Sequence, residues 1–128
     1  MITRLTLSIL PEALAICRLA PTEGIPGWAL KGSFYSITRT DDEVSIVCPE
    51  TNVPGATHCD LGWRGLKIEG PLDFSLTGVL KSVADPLAEA GISIFALSTY
   101  ETDYLLVKET DLEKAVRARS QAGHLVAV

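Results

Sequence analysis

An α+β fold is expected for this chain, and three features of its 128 residues predict it. The first half alternates apolar and polar side chains with period two, as half-buried strands do. The second half twice changes to helical spacing, once after residue 75 and again after residue 110. Two strand-like runs lie between those stretches. The second half therefore reads β-α-β-β-α-β, an antiparallel sheet with two helices on one face.

From the N-terminus, Leu5, Leu7 and Ile9 alternate with Thr6 and Ser8, which predicts a strand over 5–10. Pro11 and Glu12 punctuate, and a neighbouring strand follows over 13–19. Pro21, Gly24, Pro26 and Gly27 make 21–27 a loop. Trp28–Leu30 fits a short helical turn. The β-branched and aromatic run 34–40, the turn at Asp41 and Asp42, and the run 44–48 predict a hairpin. Residues 49–62 have little periodicity and read as a connecting loop, so the expected units are 1–62 and 63–128.

The second unit opens with a short strand over 66–70 and a turn from Pro71 to Ser75. Leu76, Val79, Leu80, Val83 and Leu87 then share one helical face. Ser75 is placed as its N-cap and Gly91 as its stop, with Pro86 expected to kink it. Residues 92–100 are apolar on both faces, as in a central strand buried twice. Glu101 and Thr102 turn the chain into a strand over 103–108. Thr110 and Glu113 form a capping-box pattern ahead of a helix whose apolar side is Leu112, Ala115, Val116 and Ala122. Gly123 ends it, and 124–128 is a last strand. The order is the ferredoxin-like one, and the first unit reads as a degenerate, strand-rich copy of it.

Composition narrows function. The chain is 47% hydrophobic and 21% charged, which excludes a disordered polymer. Its net charge of −5 argues against nucleic acid and anionic membrane surfaces as partners. No apolar run approaches a membrane span, and the N-terminus lacks a signal-peptide pattern. Cys17, Cys48 and Cys59 are odd in number and lack metal-ligand spacing. The expectation is neither a disulfide framework nor a zinc site, but buried thiols in a reduced, cytoplasmic protein. No nucleophile elbow or phosphate-binding loop is present, so no catalytic residue, metal or cofactor is assigned.

An amino acid presents a carboxylate and an ammonium on one carbon. Amides at a helix N-terminus can hold the first, and an acid or carbonyl oxygens the second. Asp73, Phe74, Ser75, Thr77 and Gly78 lie where the first helix begins, and Gly78 leaves room for close approach. Helix capping and packing account for the same residues. Asp103 stands among Tyr100, Tyr104 and Leu105 after a tight turn. It reads either as a hairpin-end acid accepting turn amides or as a group facing a cationic ligand.

The stretches 70–80, 87–100 and 102–108, above all the run Ser98 to Tyr104, resemble an ACT domain. The likeness is to the small bacterial proteins and the cytosolic arginine sensors of animals, with the regulatory domains of aspartate kinase more distant. The run 34–50 resembles the degenerate N-terminal unit of the same proteins. The resemblance implies a ferredoxin-like βαββαβ ACT domain in the second half and a ligand at the strand–helix junction. It implies ligand contacts from Ser98, Thr99, Tyr100, Thr102 and Asp103 on the hairpin. The expected function is non-enzymatic amino acid binding with a regulatory role toward an enzyme or regulator, in a homodimer. The alternatives are a scaffold whose pocket has decayed and a small enzyme using Asp103 or Cys59.

Overall fold

The computed structural model describes residues 6–55, 57–69, 79–121 and 125–127. The strands are β1 (Thr6–Leu19), β2 (Ser36–Arg39), β3 (Val44–Pro49), β4 (Cys59–Ile68), β5 (Ile94–Ser98), β6 (Asp103–Lys108) and β7 (Leu125–Ala127). The helices are α1 (Val79–Glu89) and α2 (Leu112–Gln121), with 3-10 turns at Gly27–Leu30, Glu50–Asn52 and Glu109–Asp111. The chain forms two compact units, Glu12–Trp63 and a second one that combines Met1–Pro11 with Arg64–Val128. Sequence order alone assigns 1–11 to the first unit; in the structure the described residues Thr6–Pro11 group with the second half.

In the Glu12–Trp63 unit the neighbouring strands are β2, β3, β1 and β4. β2 and β3 form the expected hairpin, with Ser36 opposite Val47 and Arg39 opposite Val44. Its turn is tied by the Thr40 amide, which donates to the Glu43 carbonyl at 2.9 Å. The Thr40 hydroxyl accepts the amides of Asp42 and Glu43 at 3.1 and 3.2 Å. β1 pairs antiparallel with β3 from Leu14 opposite Pro49 to Leu19 opposite Val44. Period-two alternation puts Ala15 and Cys17 of β1, and Val44, Ile46 and Cys48 of β3, into one core with Ala29. Trp28 packs against that core, as the turn over 28–30 requires.

In the other unit the order is β7, β1, β4, β6, β5. From β4 onward the chain runs β-α-β-β-α-β, as read from the sequence. The N-terminal end of β1 lies between β7 and β4, with Thr6 to Ser8 parallel to Leu125 to Ala127. The core is Leu7, Leu66, Ile68, Val83, Leu87, Ile92, Leu105, Val107 and Ala115. Helix α1 ends where Gly91 was expected to stop it. Gly91 has φ +76°, its amide donates to Ala88, and the Ile92 amide donates to Leu87 at 3.0 Å. That is a Schellman closure, and buried Ile92 supplies its apolar contact.

Several expectations are corrected. The two strands separated at Pro11 are one, because β1 pairs with β7 at 6–8 and with β3 at 14–19. Pro11 falls between those ladders, where its missing amide costs neither a bond. β4 begins at Cys59, inside the stretch read as loop. β5 is the terminal strand of its unit and not a central one, and Phe95 and Leu97 are only half-buried. The doubly buried strand is β6, where Leu105, Leu106 and Val107 are all shielded from water. Thr110 lies within the 3-10 turn preceding α2 and not at a cap.

The cysteine reading is corrected too. Cys17 and Cys59 form a disulfide, with Cα atoms 4.1 Å apart. The arithmetic of three cysteines missed it because β1 and β4 bring together residues 42 apart in sequence. Cys48 is the free thiol, buried as expected, and burial raises its pKa.

Candidate functional site

The hairpin joining β5 to β6 carries the most specific part of the expected site. The two strands are in register from Ile94 opposite Val107 to Ser98 opposite Asp103. At that last pair the Ser98 hydroxyl donates to Asp103 Oδ1 at 2.6 Å, so a serine locks the carboxylate at the mouth of the turn. The turn is self-contained. The Thr99 amide donates to the Thr102 carbonyl at 2.8 Å, and the Thr99 hydroxyl donates to the same carbonyl at 3.1 Å. The Thr102 amide returns a bond to the Thr99 hydroxyl oxygen at 3.3 Å.

Thr102 is buried, and its hydroxyl donates to the carbonyl of Ile68, the last residue of β4. That bond fastens the hairpin tip to the end of the strand that precedes the junction segment. Tyr100, at the tip, is 81% exposed. The structure thus brings Ser98 to Asp103 and Thr99 to Thr102, and sets Tyr100 outward. Asp73, Phe74, Ser75, Thr77 and Gly78 lie outside the described residues.

Other polar groups frame the same unit. Glu69 donates its amide to the Thr6 carbonyl at 2.8 Å, and its side chain accepts the Ser8 hydroxyl. Lys67 pairs with Glu69 at 3.8 Å. Arg64 reaches the Leu10 carbonyl at 3.0 Å and Glu109 at 3.6 Å. Arg119, in the last turn of α2, was not singled out from the sequence. It is fully buried, and none of its guanidinium nitrogens has a hydrogen-bond partner among the described residues. The signal was present: Arg119 follows Ala115 by four and Leu112 by seven, which puts it on the apolar face of the helix. Among the described residues no group of three or more His, Cys, Asp or Glu could hold a metal ion.

A family model described as an ACT domain matches residues 58–118. That stretch, just under half of the chain, is an ACT domain. A second model, describing an N-terminal domain, matches residues 12–56, nearly the whole of the Glu12–Trp63 unit. The crystal structure of protein Atu0741 from Agrobacterium tumefaciens is 46% identical, with a TM-score of 0.93 over 98% of this chain and 93% of that one. The regulatory subunit of aspartate kinase from Thermus flavus shares the fold, with a TM-score of 0.66 at 13% identity over 94% of this chain and 99% of that one. The cytosolic arginine sensor for mTORC1 subunit 1 of Mus musculus is 44% identical over 98 residues, 69% of this chain. Its Bos taurus counterpart is 30% identical over 94 residues, 65% of this chain. The chain spans 30% of the mouse sensor and 29% of the bovine one, under a third of either.

Proposed function

We propose that this ACT protein binds a free amino acid and regulates a partner enzyme or regulator, without catalysing a reaction. The observation that carries the reading is the Ser98–Asp103 lock on a hairpin whose tip is anchored to the end of β4 through Thr102. A carboxylate held in place by a neutral hydroxyl keeps its charge for a cationic group. Asp103 takes the ligand's ammonium or a cationic side chain, with Ser98, Thr99 and Tyr100 beside it and Thr102 positioning the turn. Asp73, Phe74, Ser75, Thr77 and Gly78 supply the junction side of the same pocket. Relatives named for arginine sensing support an amino acid ligand, and the −5 net charge suits a basic one.

A homodimer is part of the proposal. β5 ends its sheet, and a terminal strand with half-exposed Phe95 and Leu97 invites pairing with a second copy. The proposed location is the cytoplasm, after the relatives named cytosolic, and no helix among the described residues is long and apolar enough to cross a membrane. The Cys17–Cys59 bond weighs the other way, because structural disulfides are rare in reducing compartments.

A thermal-shift screen with the twenty L-amino acids tests the reading. A ligand at one hundred times its dissociation constant stabilises by about 2.7 kcal/mol, roughly 10 °C for a chain of this size. Stabilisation by one or a few amino acids supports the proposal; a flat panel together with stable dimers would favour a scaffold.

A further inference from the structure

Arg119 is the feature that the hairpin site does not use. Its side chain has 0% exposure, and none of its guanidinium nitrogens meets an acceptor among the described residues. A guanidinium carries five N–H donors in a planar fork that matches a carboxylate. Burial lowers its pKa only to about 10, so it is a cation at neutral pH. A buried, unpaired cation is strongly unfavourable, and buried charges are as a rule paired with counter-charges. The two ion pairs described in this unit engage Arg64 and Lys67 instead.

Topology places this cation at the hairpin end of its unit. β6 leaves the turn at Asp103 and runs six residues, about 20 Å, to Lys108. The 3-10 turn at Glu109–Asp111 reverses the chain, and α2 packs back along β6 for ten residues, about 15 Å. Its last turn, with Arg119 about 10 Å beyond Leu112, therefore comes back toward the end at which β6 began. Two further observations mark the same end. Thr102 is tied to Ile68 at the end of β4, and Thr6, opposite the first residue of β7, is bonded to Glu69.

We propose that Arg119 receives a carboxylate, namely the α-carboxylate of an amino acid whose cationic group Asp103 holds. The proposal rests on the amino acid reading above and adds its second point of attachment. It makes the ligand class α-amino acids with a free carboxylate, and distinguishes them from amines and amino acid amides of the same side chain.

The test compares each of the twenty L-amino acids with its primary α-amide, which is isosteric but uncharged at that end, on the full-length wild-type chain. The amino acid that stabilises the protein should bind roughly tenfold to a hundredfold more tightly than its amide, the range for a charge-assisted bond. Arg119→Met keeps the length of the side chain and removes its charge and donors. It should weaken that amino acid by the same factor, while the ligand-free melting temperature stays level or rises. Equal binding of acid and amide overturns the proposal without touching the amino acid reading. So does Arg119→Met that binds as wild type but melts lower without ligand, since the carboxylate would then belong to the chain itself. No stabilisation of wild type by any amino acid overturns both.

Discussion

Reducing the Cys17–Cys59 bond should cost the protein a large part of its stability. The bond closes a 42-residue separation, and the loop-entropy model gives about 4 kcal/mol at 25 °C for a loop of that size. Measured bridges deliver about 2–4 kcal/mol, so the model value is a ceiling. The Glu12–Trp63 unit should feel most of it. Among the described residues its main buried cluster holds six side chains, four of them alanine or cysteine: Ala15, Ala29, Cys48 and Cys17 itself. Small cores of this kind lean on staples. The assay is urea unfolding of the same chain, oxidised and then reduced with a dithiol, followed by the fluorescence of Trp28 and Trp63. With a slope near 1.5–2 kcal/mol per M, the midpoint should fall by roughly 1–2 M. Thiol titration accompanies it: the oxidised protein should show no reactive thiol when native and one, Cys48, when denatured. Three thiols in the denatured protein before any reductant is added, or superimposable unfolding curves, would refute the reasoning.

Other perturbations follow from single contacts. Asp103→Asn keeps an Oδ1 acceptor for Ser98 and removes the charge. Ligand binding by calorimetry should weaken by about 1.5–3 kcal/mol with little change in melting temperature; intact binding with a large loss of stability would assign Asp103 to structure. Thr102→Val deletes the buried hydroxyl that bonds Ile68, and should cost about 1–3 kcal/mol in chemical denaturation while loosening the hairpin. Gly32→Ala would place a Cβ 2.8 Å from Pro49 Cγ, a rigid ring, at φ +96°. It should destabilise by about 1–3 kcal/mol, and a variant as stable as wild type would contradict the backbone described here.

The sequence carried local periods and turn chemistry well and long-range pairing poorly. Val83 and Leu87 repeat at helical spacing and Gly91 closes the helix through positive φ, so α1 and its stop were legible from nearby residues alone. The hairpin followed from a short turn between two apolar runs, but the turn spans Thr99 to Thr102, not Glu101 and Thr102 alone, so Ser98 and not Tyr100 stands opposite Asp103. No local signal says that the start of β1, from Thr6, lies between β7 and β4, because that pairing is decided by partners more than 50 residues away. The same reason hid the disulfide, whose two halves sit on β1 and β4. Pro11 misled because its missing amide is harmful only where a ladder bond is needed, and β1 has none there to β3 or β7. Arg119 was overlooked because a charged residue near a helix end is usually solvated, although its spacing from Ala115 and Leu112 marked the buried face.

The central claim is that this chain binds a free amino acid at the end of the unit where the Ser98–Asp103 hairpin lies. Isothermal titration calorimetry of the full-length protein with each of the twenty L-amino acids tests it most directly. The account predicts saturable heat from one or a few amino acids, with one site per chain, and loss of that heat in Asp103→Asn. Heats of dilution alone for all twenty, from protein shown to be folded, would contradict it.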